Sequence, residues 1–312
     1  MKLLTGNSNL LLAHAIAHHL ETSLMKADIH HFSDGEVRVD LLEEVRNEEV
    51  FIIQSLGNPV NTNFMELLLI IDALKRSAAK KICAVIPYLG YARQDRKTAE
   101  QTPISAKLIA NLLTTAGADH IITVDLHKPQ IQGFFDIPVE NLLPLSLFKK
   151  DILENFSKDT LIIMAADIGG LQRARMLAEE LYCDVGIIEK TRTSSGFIQT
   201  HHIIGNIKDK ICLFVDDIID SGSTLYQGAQ AVLEKGAKAC HAYITHGVLS
   251  SKIDTIQSSL SSLVLTDSLP CPNINNIPIR ILSLSSCLAQ TIQIISTEKS
   301  LEKGYQNTLM YK

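Results

Sequence analysis

Ile211-Cys212-Leu213-Phe214-Val215-Asp216-Asp217-Ile218-Ile219-Asp220-Ser221-Gly222-Ser223-Thr224 is the stretch that decides the fold. The apolar run Ile211–Val215 predicts a strand buried on both faces, as in a parallel sheet. Two adjacent carboxylates follow, then a loop of small residues, then a helical pattern over Thr224–Lys235. Ligands of α/β sheets bind beyond the carboxyl ends of strands. A helix N-terminus offers free backbone N–H groups to phosphate. Gly222 permits close backbone approach, and Ser221, Ser223 and Thr224 add hydroxyl donors. The acidic pair cannot hold phosphate; it suits ribose hydroxyls or a Mg²⁺ ion. Taken alone, an Asp-Ser-Gly-Ser loop reads as a helix cap. The whole strand, acidic pair and loop is far more specific than a cap.

Outward from this stretch, short apolar runs alternate with amphipathic patterns. Val50–Gln54, Ile82–Ile86, Ile121–Val124, Leu161–Met164, Val185–Ile188 and Ala242–Thr245 read as further strands. Asn63–Ser77, Ile104–Ala116 and Gly170–Leu181 read as helices, with Gly117 and Gly236 at helix stops. The alternation predicts an α/β fold of mostly parallel sheets flanked by helices. Pro144 is unfavourable inside a continuing helix, so we expect two domains, residues 1–143 and 144–312. Each half shows the order strand, loop, helix, strand, without a residue-by-residue repeat.

The 312 residues, 46% hydrophobic and 20% charged, suffice for two cores and exclude global disorder. A net charge of −5 argues against a nucleic-acid-binding protein. Apolar runs such as Leu67–Ile71 fall far short of the roughly 20 residues that span a bilayer, so no membrane partner is expected. The N-terminal apolar stretch is broken by Asn7, Ser8, Asn9 and His14, which speaks against a signal peptide. The six cysteines form no CxxC pair and read as buried thiols of a reducing cytoplasm. His14 and His18 share a helix with the apolar face Leu12, Ile16 and Leu20, and read as solvated residues, not as a metal pair.

The loop after Val215 resembles that of the type I phosphoribosyltransferase fold, which grips a ribose 5-phosphate. Val124-Asp125-Leu126-His127-Lys128-Pro129-Gln130-Ile131-Gln132-Gly133-Phe134-Phe135-Asp136-Ile137-Pro138 narrows the resemblance to the ribose-phosphate pyrophosphokinases. So do Phe32-Ser33-Asp34-Gly35-Glu36, Pro87–Arg96, Asp167-Ile168-Gly169-Gly170 and Thr245-His246-Gly247. The likeness runs from about residue 3 to residue 295. It implies two phosphoribosyltransferase-like domains, with ATP and oligomer contacts on the first and the ribose 5-phosphate and catalytic loops on the second. The implied reaction moves the β,γ-diphosphoryl group of ATP to the anomeric hydroxyl of ribose 5-phosphate, giving phosphoribosyl pyrophosphate (PRPP) and AMP. Such chemistry depends on positioning and on positive charge around the phosphates.

The resemblance also implies roles. Lys190 and Arg192 are catalytic, on a loop that closes over ATP. Phe32, Asp34 and Glu36 contact adenine in a neighbouring subunit's site, so the active form is a homo-oligomer, a hexamer by resemblance. Arg93, Gln94 and Asp95 bind ATP, and Arg is suited to bidentate phosphate contact. His127 serves ATP and its metal, and Asp167 the metal, with Mg²⁺ as cofactor. Imidazole is a poor direct ligand for this hard ion, so part of the His127 contact would run through water. Asp216, Asp217, Asp220, Ser221, Gly222, Ser223 and Thr224 take the ribose 5-phosphate. Without the resemblance, the first hairpin reads as an ordinary Asp-Gly turn, Asp167 as a helix cap, and the basic residues as solvated surface.

Departures from the family pattern sit mainly in Thr98-Ala99-Glu100-Gln101-Thr102, where a basic residue is usual. Glu100 would repel a regulatory phosphate, although Arg46 remains. We therefore expect altered or absent activation by phosphate and inhibition by ADP. Ser221 and Ser223 stand where Thr and Gly are common. A non-catalytic regulatory paralogue and a PRPP-consuming phosphoribosyltransferase are the alternatives.

Overall fold

A computed structural model describes residues 1–192, 198–250, 259–272, 277–297 and 309–310, without the side chains of 190–192, 198–201 and 309–310. The chain forms two compact units. The first holds β1 (Lys2–Thr5), α1 (Leu10–His19), β2 (Ala27–His31), β3 (Val37–Leu41), β4 (Glu49–Ile53), α2 (Val60–Arg76), β5 (Lys81–Ile86), α3 (Ser105–Ala116), β6 (His120–Val124) and β7 (Val139–Leu143). The second holds α4 (Leu145–Asn155), β8 (Leu161–Ala165), α5 (Leu171–Leu181), β9 (Asp184–Arg192), β10 (Ile198–Ile204), β11 (Ile211–Ile219), α6 (Ser223–Glu234), β12 (Ala239–Gly247), β13 (Ser262–Thr266) and β14 (Ile279–Leu282). The chain then returns: α7 (Ser285–Ser296) belongs to the first unit and packs on α1, and β15 (Leu309–Met310) pairs antiparallel with β7.

In the first unit the sheet order is β1-β4-β5-β6-β7-β15, parallel up to β7. Leu4, Val50, Ile52, Ala84 and Ile121 from the strands meet Leu67, Ile70, Ile71 and Leu74 of α2 and Ile109 and Leu113 of α3. These helical positions recur at i, i+3, i+4 and i+7, which places one apolar stripe on the sheet. The β2–β3 hairpin lies on α2. Gly117 ends α3 with φ +122°, as its placement predicts.

The second sheet runs β10-β9-β8-β11-β12-β13-β14, parallel except for β10. From β8 the chain passes through α5 to β9 on one side, and from β11 through α6 to β12 on the other. β8 and β11 therefore flank a topological switch point, where α/β sheets open a crevice. α6 packs Leu225, Tyr226, Ala229 and Val232 against Phe214, Ala242 and Leu263. Its end shows paired bonds from Gly236 N to Leu233 O (3.0 Å) and Ala237 N to Val232 O (3.0 Å), with Gly236 at φ +94°. This left-handed stop is the one the glycine predicts.

Three expectations are corrected. β11 extends to Ile219, so Asp216 and Asp217 lie within the strand; the reason is β12, whose His246 and Gly247 still pair with Ile218 and Ile219. β9 likewise runs to Arg192, because β10 pairs with it as far as Ile198↔Arg192. Cysteine burial is uneven: Cys83, Cys212 and Cys240 are buried, Cys183 and Cys287 partly so, and Cys271 is exposed. Among the described residues, no helix is long and apolar enough to cross a membrane. His14 and His18 are exposed, while Leu12 and Ile16 are buried.

Candidate active site

At the switch point of the second unit, a cavity of about 230 Å³ is lined by residues including Asp167, Asp216, Asp220, Ser221, Gly222 and Thr224. Parallel pairing of β8 with β11 (Phe214↔Met164) brings the turn after β8 beside the acidic pair. Asp167 stays exposed and its Oδ1 accepts from Gly170 N at 3.2 Å. It thus caps the turn into α5, as the plain reading of this residue expects. Asp217 is buried, and its N–H donates to Asp216 Oδ1 at 3.0 Å. Burial and the Asp217 charge push the Asp216 carboxyl well above the usual carboxylate range, against the pull of Arg173 and with a smaller push from Asp167. A pair held in this way favours a cation or hydroxyl donors over an anion.

Beyond the pair, Asp220 Oδ1 accepts from Ser250 N at 3.1 Å and from the Ser250 hydroxyl. Ser221 and Ser223 place their hydroxyls 3.1 Å apart at the start of α6. Gly222 precedes α6 with φ +72° and makes no side-chain cap there. Ser223 N donates to Ser221 Oγ at 3.5 Å, and a helix start of this kind suits an anion.

In the first unit, the turn after β5 carries Arg93, Gln94 and Asp95. Gln94 is tied down: its Oε1 accepts from Ser105 Oγ at 2.6 Å, and its carbonyl from Ala106 N at 3.2 Å. Arg93 is exposed and Asp95 partly so. His127, half-buried, follows the adjacent strand β6. Before it, Leu126 N donates to Asn141 Oδ1 on β7 at 3.0 Å, which shapes this turn. Phe32, Asp34 and Glu36 are exposed at the tip of the β2–β3 hairpin. There Glu36 N donates to Asp34 Oδ1 at 3.0 Å and Gly35 N to Phe32 O at 2.9 Å. Lys190 and Arg192 occupy β9, and their side chains lie outside the described residues.

Two residues missed in the sequence join the second-unit site. Ser250 carries no signal of its own. Arg173 does: with Ala174, Leu177, Ala178 and Leu181 it stands on the inward face of α5. A cation on an apolar stripe demands a buried anion.

Sequence families converge on this arrangement. The N-terminal domain of ribose phosphate pyrophosphokinase matches residues 1–117, and a phosphoribosyl transferase domain matches residues 147–264. The ribose-phosphate pyrophosphokinase of Caulobacter vibrioides is 49% identical, over 97% of this chain and 99% of its own length. The chain belongs to the ribose-phosphate pyrophosphokinase family. The pyrophosphokinase of Rhizobium meliloti is 47% identical over 96% of this chain and 98% of its own. A crystal structure of phosphoribosylpyrophosphate synthetase from Mycobacterium smegmatis superposes with a TM-score of 0.89 at 35% identity, covering 95% of this chain and 99% of that one. Two phosphoribosyltransferase-like α/β domains are thus the fold of this pyrophosphokinase family member.

Proposed function

We propose that this chain makes PRPP from ATP and ribose 5-phosphate. The observation that carries the proposal is the second-unit cavity, where Asp216, with the buried Asp217 beside it, and a small-residue helix start share one switch point. The anomeric hydroxyl attacks the β-phosphorus and gives up its proton to solvent, the bond from the β-phosphorus to the α,β-bridging oxygen breaks, and AMP leaves with that oxygen. The first unit is assigned to ATP through Arg93, Gln94, Asp95 and His127, with Phe32, Asp34 and Glu36 for adenine in a homo-oligomer. The second is assigned to ribose 5-phosphate. Asp216 and Asp217 take ribose hydroxyls, and the Ser221–Thr224 loop takes the 5-phosphate on hydroxyls and N–H groups. Asp220 shapes this loop through Ser250. Lys190 and Arg192 supply positive charge to the moving diphosphoryl group.

The donor chemistry fits Mg²⁺ at Asp167, a hard oxygen ligand open to solvent; His127 fits a water-bridged contact. The ion would neutralise phosphate charge when bound. The test is the purified chain with Mg²⁺, ATP and ribose 5-phosphate, followed for AMP and PRPP. One AMP per PRPP is the expected result. Folded protein without turnover would leave a regulatory paralogue, and consumption of PRPP with a nucleobase a transferase.

A further inference from the structure

Arg173 is buried on α5, its side chain 6% exposed, and its Nη1 lies 3.4 Å from Asp216 Oδ1 and 3.6 Å from Asp217 Oδ1. A hydrophobic side chain would pack the inward face of α5 at less cost, since a buried guanidinium loses its hydration. A single nitrogen, Nη1, faces both carboxylates, and the planar guanidinium holds it in a more fixed geometry than an ammonium on a flexible stem would. The helix also lies close beneath the pair. A β-carbon at Gly170 would stand 3.4 Å from Asp216 Oδ1 and 3.6 Å from Val215 O. These are ordinary van der Waals contacts, so the start of α5 packs directly on Asp216, and the ionic contact comes from Arg173, one turn further along.

We propose that Arg173 is a positioning residue for ribose 5-phosphate: it holds the Asp216 and Asp217 carboxylates side by side in the orientation that receives the ribose hydroxyls. The proposal rests on the assignment of this acidic pair to ribose. Arg173 touches neither substrate. Its effect passes through two carboxylates that repel each other and that would otherwise turn apart or share a proton.

Arg173→Gln and Arg173→Lys are compared with Asp216→Asn for kcat and for both Michaelis constants, with Tm measured on each. Arg173→Gln should raise KM for ribose 5-phosphate about tenfold or more, as loss of a supporting partner does elsewhere, with KM for ATP unchanged. Arg173→Lys should recover part of that loss. The rise in Tm on adding ribose 5-phosphate should shrink in the same order, a readout independent of turnover. An unchanged KM for ribose 5-phosphate in both folded Arg173 variants overturns the proposal. So does an equal rise in both Michaelis constants, the mark of general distortion. If Arg173→Gln does not fold, Arg173→Lys decides by the same two criteria. An Asp216→Asn enzyme with normal KM for ribose 5-phosphate would instead overturn the assignment of the pair itself.

Discussion

The Asp151 carboxylate on α4 accepts hydrogen bonds from both Nη atoms of Arg280 on β14, each at 2.7 Å. Tyr243 OH, on β12, donates to the same group at 2.6 Å. The triad fastens the edge strand β14 to the second unit. Burial works to raise the Asp151 carboxyl, but the bonds from Arg280 and Tyr243 and the Arg280 charge outweigh it and hold the group below its ordinary range. A depressed carboxylate stabilises the fold above its unfolded pKa of about 3.9 and loses that contribution as pH falls through the folded value. Stability should therefore be steady at neutral pH and fall below about pH 4. Asp151→Asn should cost about 2 kcal/mol at pH 7, discounted for the partial exposure of Arg280, and should flatten the acid limb of a urea-denaturation series. A variant that keeps the wild-type acid limb would assign that limb to other carboxylates.

Gly222→Ala should disable the loop proposed for ribose 5-phosphate. Its φ of +72° disfavours a side chain, and a β-carbon would run into the buried ring of Tyr226. Strain and overpacking together predict a loss of about 2–4 kcal/mol in stability. Steady-state kinetics on the surviving fold should show a raised KM for ribose 5-phosphate and an unchanged KM for ATP.

Glu66 is wholly buried on α2. It accepts from Asn7 N at 2.7 Å, Asn7 Nδ2 at 2.9 Å and Gln54 Nε2 at 2.8 Å. The carboxylate thus holds the turn after β1 against the end of β4. Glu66→Leu removes the acceptor of Asn7 N and one acceptor each of Asn7 Nδ2 and the buried Gln54 Nε2, which keep Ile29 O at 3.1 Å and Asn63 O at 3.2 Å. Chemical denaturation should register a loss of about 1–3 kcal/mol, and soluble, fully stable protein would contradict this account.

Removing Lys190 or Arg192 as alanine should lower kcat about 10²-fold or more, the range seen when a donor to developing charge is deleted. Substrate binding measured without turnover should change little. A loss confined to KM would mark these residues as ordinary binding groups.

Regulation gives a separate test. The departing loop is closed on itself: Thr98 N and Ala99 N donate to Thr102 Oγ1 at 3.1 and 3.2 Å, and Lys97 Nζ to the Glu100 carbonyl at 3.2 Å. With an acidic residue at position 100, turnover should vary less than about twofold as phosphate is raised from zero to tens of millimolar, a range that fills a weak anion site. Glu100→Lys should restore some phosphate dependence. Strong activation of the natural chain by phosphate would overturn the expectation.

Local pattern carried much of the fold. Every strand read from an apolar run is present, because a strand buried on both faces needs an apolar run whatever its neighbours are. The unread elements include the apolar strand β13 and the helices α4 and α7 as well as short or mixed strands. β7 carries Glu140 and Asn141 within five residues, and β14 is only partly buried at the sheet edge. Edge strands need no continuous apolar run, so periodicity passes over them. The lengths of β9 and β11 also escaped, because a strand ends where its partner stops pairing.

The sequence by itself determined the alternation of the main strands and helices, the acidic pair with the small-residue loop that follows it, and the family. These depend on neighbours in the chain, whose spacing and chemistry are visible in one dimension. Only the tertiary structure decided that Arg173 meets Asp216, that Asp151 meets Arg280 and Tyr243, and that Glu66 gathers Asn7 and Gln54. These partners are brought together by crossovers between parallel strands. A buried charge is stable only beside a particular counter-charge or donor set, and which residue supplies it is settled by strand order and helix packing.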